Sequence, residues 1–172
     1  MSEPPVAVTL AIGLLKGDQM SAVTRDATAM GVAAIVPFVS HHVAMPALAG
    51  RAKLVERLTR IAISSAAQCG RAVVPAIRDV TTLEAVLAAA GNGARLICVE
   101  PALAATAAPW AATARPQAAT LLVGPEGGWA EAEVSGALAQ GAVPVSLGPR
   151  TLRAEIAPTV ALGVLWGRWG WT

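Results

Sequence analysis

The sequence predicts an α/β domain, a mostly parallel sheet flanked by helices. Three observations carry that prediction. Short β-branched apolar runs alternate with longer stretches whose apolar residues recur at helical spacing. Gly or Pro punctuates the joins between them. Several of the short runs are apolar almost throughout, which suits strands covered on both faces rather than on one.

Val6–Leu15 is the first such run and ends in a turn at Lys16-Gly17-Asp18. Gln19–Met30 follows as a helix, with Met20, Val23, Ala27 and Met30 on one face and Gly31 as its stop. Val32–Val39 is a second strand. Gly50–Cys69 sets Leu54, Leu58, Ile61 and Ala62 on one side of an amphipathic helix, with Arg51, Lys53, Glu56, Arg57 and Arg60 largely around the other. Val73–Ile77 is a weaker strand because it contains Pro75. Thr81–Ala90 reads as a helix capped by Thr81 or Thr82 and ended by Gly91-Asn92-Gly93. Leu96–Val99 and Thr120–Val123 are strands separated by the loop Pro101–Pro116. Ala130–Gln140 is a helix, Ala142–Leu147 a strand, and Arg153–Trp166 a closing helix. No repeat or charge block divides the chain, so one domain is expected over residues 1–172.

Composition narrows the class. Only 14% of residues are charged and 55% fall in the hydrophobic set, which excludes intrinsic disorder. No uninterrupted apolar stretch is long enough to cross a bilayer as a helix. Glu3 and two prolines occupy the place where a secretory signal carries basic residues. Cys69 and Cys98 are too few for a disulfide framework and lack paired metal-ligand spacing, so a reduced, cytoplasmic protein without a metal is expected. The adjacent His41 and His42 do not change this, because neighbours on a strand point to opposite faces. Net charge is +2, and all basic residues except Lys16 and Lys53 are Arg, whose planar fork suits phosphate; a GC-rich codon bias produces the same preference.

In open α/β sheets ligands bind beyond the carboxyl ends of the strands, and two loops there carry chemistry. Gly124-Pro125-Glu126-Gly127-Gly128 joins a strand to a helix. Its glycines permit positive φ and close backbone approach to a ligand. Glu126 would repel a phosphate, and the Lys-Ser/Thr of a P-loop is missing. The second loop is Leu147-Gly148-Pro149-Arg150-Thr151-Leu152-Arg153-Ala154-Glu155. It lies beside the first if strands Thr120–Val123 and Ala142–Leu147 are neighbours. Taken singly, each loop is equally well a structural turn.

Together they carry a resemblance. GPEGG followed by a helix with Glu133, then a strand ending in LGPR-x-LR-x-E, resembles the C-terminal region of the SPOUT RNA methyltransferases. Within that superfamily the chain is similar to the ribosomal RNA small subunit methyltransferase E family, which methylates N3 of a uridine in bacterial 16S rRNA. Leu14–Met20, Met30–Pro37 and Ile61–Ile77 match further family stretches in order. The resemblance implies a C-terminal deep trefoil knot, an exception to the usual avoidance of knots. It also implies a homodimer, a 16S rRNA substrate within the 30S subunit, and S-adenosylmethionine as cofactor. On this sequence the cofactor-binding positions become Glu100, Pro101, Val123, Gly124, Pro125, Glu126, Gly127, Gly128, Leu147, Gly148, Leu152 and Arg153. Uracil N3 is a poor nucleophile until it loses its proton, so Arg71 and Arg153 are expected to contact the substrate or its anion and Glu126 to relay the proton. The Trp-rich end, Leu165–Trp171, is divided between a subunit interface and ordinary core.

The chain departs from the family pattern at Ala29-Met30, where the family carries Glu-Leu, at Ala67 and Ile156, where it carries Glu and Thr, and at His41-His42, which correspond loosely to an Arg-Ser pair. The family's usual N-terminal PUA-like RNA-binding domain is expected to be absent. These departures motivate an alternative: a knotted RNA-binding protein impaired in catalysis that still binds S-adenosylmethionine. A third reading makes GPEGG an anion cradle of a phosphate-ligand enzyme.

Overall fold

The computed structural model describes residues 3–41, 43, 45–46, 48–102 and 115–171. The elements run β1 (Ala7–Gly13), α1 (Gln19–Ala29), β2 (Ala34–Val39), α2 (Leu48–Cys69), β3 (Ala76–Ile77), β4 (Thr81–Thr82), α3 (Leu83–Ala89), β5 (Ala94–Val99), β6 (Ala118–Val123), α4 (Glu131–Ala139), β7 (Val143–Ser146) and α5 (Ala157–Trp169). All the strand pairs are parallel. The order across the sheet is β3-β2-β1-β6-β5-β7, with β4 continuing the line of β3 against β2.

Side-chain alternation divides the interior into two cores. Val8, Leu10 and Ile12 of β1 point to the face covered by α1, α2 and α5, whereas Ala11 points to the face covered by α3 and α4. Leu121 and Val123 against Leu122, and Leu96 and Cys98 against Ile97 and Val99, repeat the pattern. Both faces are thus buried, which is why these strands read as continuous apolar runs.

Several element boundaries differ from the sequence expectation, each for a local reason. Thr82, not Thr81, caps α3, its hydroxyl accepting from the Ala85 N–H at 3.3 Å. Thr81 and Thr82 are themselves strand residues pairing with Phe38 and Val39. Helix α5 starts at Ala157 rather than Arg153, since the Ile156 and Ala157 N–H groups both reach back to the Arg153 carbonyl and Pro158 sits in the first turn. Most of Pro101–Pro116 lies outside the described residues. The clearest correction concerns topology: β6 and β7 are not neighbours, because β5 pairs with both and lies between them.

The Trp-rich end packs largely inward. Trp166 and Trp169 are buried in the α5-side core, and Trp166 meets the rings of Trp169 and Trp171 edge-on. The Trp166 indole N–H donates to the Met30 carbonyl at 2.6 Å, tying the closing helix to the end of α1.

Candidate functional site

Although β6 and β7 are separated, the connections that follow them converge. The turns leaving β5, β6 and β7 enclose a cleft of about 420 Å³ at the carboxyl edge of the sheet, within the roughly 300–1,000 Å³ of small-molecule sites. Most of the Leu147–Glu155 stretch that follows β7 lines it, together with residues leaving β5 and β6. Every cofactor-binding position expected from sequence lines this cleft except Gly127.

The glycines make the walls possible. Gly128 has φ +72, and a Cβ there would fall 2.1 Å from Glu100 Oε1, so the carboxylate lies directly against the glycine. A Cβ on Gly124 would come within 3.0 Å of the Trp129 ring. Trp129 in turn donates its indole N–H to the Cys98 carbonyl at 2.8 Å and stacks on Phe38, with ring centroids 5.8 Å apart. At the next strand a Cβ on Gly13 would meet Pro125 at 2.8 Å, so β1 must end in glycine for the β6 turn to cross it. In the third turn Gly148, at φ +112, places its N–H 3.3 Å from Ser146 Oγ.

Glu126 is a clasp. Its Oε1 accepts the Lys16 N–H at 2.9 Å, and the Gln19 side-chain amide, oriented to satisfy its own bonds, donates to the same oxygen. This joins the turn after β1 to the turn after β6 and brings Gln19 into the cleft wall. Arg153 projects from the wall with its side chain 81% exposed, 3.8 Å from Glu155. Cys98 lines the inner end; burial pushes its thiol up to about 12, so it is not a nucleophile at neutral pH.

Arg71 is not in the cleft. It follows α2 at the opposite edge of the sheet, its side chain 5% exposed. Its guanidinium donates to the Thr28 carbonyl at 2.8 Å, the Val32 carbonyl at 3.2 Å and both Glu3 carboxylate oxygens. The expected substrate contact from Arg71 is therefore corrected to a structural clamp: four of its five N–H donors are taken by Thr28, Val32 and Glu3. Met30 and Ala67 lie at that same far edge, so their departure from the family pattern does not alter the cleft. His42 lies outside the described residues, and among the described residues no group of His, Cys, Asp and Glu could hold a metal.

Sequence reasoning missed Gln19 and Trp129. Each had a signal: Gln19 opens the helix after the first strand, and Trp129 directly follows the glycine loop.

The cleft's chemistry favours a cationic or mixed ligand over a phosphate. Glu100, Glu126 and Glu155 border it alongside Arg150 and Arg153, and Val123, Leu147 and Leu152 supply apolar wall. Two carboxylates at the glycine turn argue against the anion cradle.

Residues 2–166 match the family model for the RNA methyltransferase domain. The chain is similar to ribosomal RNA small subunit methyltransferase E of Synechocystis sp., at 36% identity over 94% of this chain and 53% of that protein. It is also similar to the Bacillus subtilis protein of the same name, at 33% identity over 95% of this chain and 66% of that protein. The chain thus spans between half and two thirds of these relatives. Among solved structures, ribosomal RNA small subunit methyltransferase E from Neisseria gonorrhoeae bound to S-adenosyl methionine superposes with TM-score 0.89 at 30% identity, covering 98% of this chain and 68% of that one. A putative methyltransferase from Legionella pneumophila in complex with SAM gives TM-score 0.89 at 32% identity, covering 96% and 68%.

Proposed function

The chain belongs to the RNA methyltransferase domain family, and on that premise we propose that it is an S-adenosylmethionine-dependent enzyme methylating N3 of a uridine in 16S ribosomal RNA. The observation that carries this reading is the convergence of the β5, β6 and β7 turns on one cleft with glycine-lined backbone, apolar walls and bordering carboxylates.

The residues present fit the donor. Apolar Val123, Leu147 and Leu152 suit an adenine ring, the glycine turn lets backbone groups approach it, and Glu100 and Glu126 favour a positive sulfonium over a phosphate. When bound, S-adenosylmethionine supplies a methyl group activated by that sulfonium. Uracil N3 must lose its proton for its lone pair to attack. The negative charge of that anion spreads to the two flanking carbonyls and is discharged as N3 takes the methyl carbon, the sulfonium leaving as a neutral thioether. Arg153, exposed on the wall and only loosely held by Glu155, can donate to one of those carbonyls as that charge develops, leaving the N3 edge open to the methyl carbon. Glu126 holds the donor side of the cleft through Lys16 and Gln19; relay of the N3 proton is its second role in this proposal. The target base must leave its stack to reach the cleft.

Further parts of the proposal come from the family. The C-terminal segment is threaded as a trefoil knot, two copies form a homodimer, and the substrate is assembled 30S subunits in the cytoplasm. Catalytic competence is preferred over the impaired alternative because Arg153 and the glycine turn line the cleft and Met30 and Ala67 do not; of the three departures behind that alternative, only Ile156 adjoins the lining, between Glu155 and Ala157.

The test is transfer of labelled methyl from S-adenosylmethionine to undermodified 30S subunits and to naked 16S RNA, with calorimetry of donor binding. Methylation at uridine N3 is expected, preferentially on 30S. Donor binding without transfer to either substrate would favour the impaired alternative. ATP binding without donor binding would overturn the proposal.

A further inference from the structure

The core beneath α3 and α4 covers only the carboxyl half of its face of the sheet. Its strand residues are Ala11, Phe38, Ile97, Val99 and Leu122, all in the later part of their strands. Toward the amino half the same face opens into a cavity of about 490 Å³ between the sheet and α3, again within the range of small-molecule sites. This cavity shares no lining residue with the cleft at the carboxyl edge.

Two hydroxyls line it from adjacent strands. Thr9 of β1 and Thr120 of β6 are register partners, so they leave the same face side by side. Thr120 is only 6% exposed, yet its hydroxyl makes no hydrogen bond among the described residues. A buried polar group ordinarily has a partner, and Thr120 lines a space in which a ligand can supply one. Arg95, the register partner of Thr120 on β5, repeats the observation. It donates to the Gly91 carbonyl at 2.6 Å, while its Nε is buried without a partner among the described residues. Val36 and Val86 add apolar wall, and the exposed Arg78 and Asp79 bring one charge of each sign to the rim.

We propose that this cavity is a second binding site and that its ligand is a nucleotide, free or within an RNA strand. Each part of such a ligand has a counterpart in the lining. The valines offer an apolar wall to a base, and Thr9 and Thr120 can bond its polar edge. Asp79 can accept from ribose hydroxyls, and the guanidinium of Arg78 suits the phosphate. A simple anion would leave the apolar wall unused and meet Asp79, whereas a purely apolar ligand would strand the threonine hydroxyls. The site stands apart from the methyl-transfer reading, because it uses no residue assigned there to the donor or to the target base.

The test titrates uridine monophosphate, uridine and pentauridylate into wild type, Thr120→Val and Arg78→Gln by calorimetry, with and without saturating S-adenosylmethionine. Saturable nucleotide binding is expected, unchanged by S-adenosylmethionine. Thr120→Val keeps a β-branched side chain of similar shape in the strand and should weaken nucleotide binding about fivefold, the loss of one hydrogen bond. Arg78→Gln alters an exposed side chain and should bring the monophosphate down to the affinity of uridine. Donor affinity should be unchanged in both variants. Pentauridylate separates the two sources: tighter binding with a steep salt dependence identifies RNA, and affinity equal to the monophosphate identifies the free nucleotide. Binding of neither nucleotide ligand would overturn the proposal, as would equal affinity in wild type and Thr120→Val. Displacement by S-adenosylmethionine would also overturn it, by moving the ligand to the cleft. Wild type that binds nucleotide but no donor would instead sink the methyltransferase reading and leave this site standing.

Discussion

Replacing Gly128 by Ala isolates the contribution of the glycine turn, with Gly127→Ala beside it as the control. At φ +72 an L side chain is strained, at a cost of roughly 1–2 kcal/mol. The lower entropy of the unfolded alanine chain acts the same way at both positions and offsets about 0.4–1 kcal/mol where the conformation is tolerated. At Gly128 the added Cβ would also sit 2.1 Å from Glu100 Oε1, so the carboxylate must swing away. Glu100 is exposed, and the swing itself is cheap. Net destabilisation is therefore about 1 kcal/mol, or about 2–4 °C in Tm for a chain of this size. Function suffers more than stability, because the displaced carboxylate borders the cleft: donor affinity should fall five- to tenfold, roughly 1–1.4 kcal/mol. Gly127 has no neighbouring atom within 4 Å of its added Cβ and no positive φ, so Gly127→Ala should change stability by no more than about 0.5 kcal/mol. Differential scanning calorimetry and donor titration measure both. Equal Tm and equal donor affinity for the two variants would refute the account of the turn.

Arg71→Ala should cost about 3 kcal/mol in urea unfolding, since it strands two carbonyls and Glu3, Glu3 being exposed enough to rehydrate; donor affinity should stay within twofold, and a large loss would return Arg71 to the binding site. Trp166→Phe keeps the ring stack but leaves the Met30 carbonyl without its donor, an expected loss of about 1–3 kcal/mol by denaturant titration. Iodoacetamide at pH 8.5 should label half-buried Cys69 well before Cys98 in native protein, as mass spectrometry would show. The same burial has a sign in pH: the unfolded Cys98 thiol ionises around its ordinary value of 9.0 while the folded one holds its proton to about 12. The unfolded state binds fewer protons across that window, so this group's stability contribution is lost as pH rises through it.

Much of the architecture was legible because burial on both faces leaves a plain sequence trace. Val8, Leu10 and Ile12 with Ala11 between them read as one apolar run, and the structure explains it by a core on each side. Helix ends at Gly31 and Gly141 were equally plain, both taking positive φ. Strand order was not legible: nothing local in Thr120–Val123 or Ala142–Leu147 says that β5 comes between them. The site shows the same division. The glycine turn and the Leu147–Glu155 connection declare themselves by composition, whereas Gln19 and Trp129 join the cleft through contacts made across the sheet. Arg71 misled because a guanidinium in a matching motif looks alike whether it meets a ligand or, as here, the Thr28 and Val32 carbonyls.

The pairing of β1 with β6 has a consequence for how the molecule comes into being. Ala7 aligns with Ala118 and Ile12 with Val123, so the middle of the sheet joins residues 111 apart in sequence. During synthesis the amino-terminal β1–β2 half is complete while the inner edge of β1 still exposes unpaired backbone to any passing strand. Closure must await emergence of β6, and so distant a partner makes the step slow. The nascent chain is therefore most prone to association in that interval, and a screen for soluble expression would find its sharpest sensitivity in substitutions that delay β6 from docking beside β1.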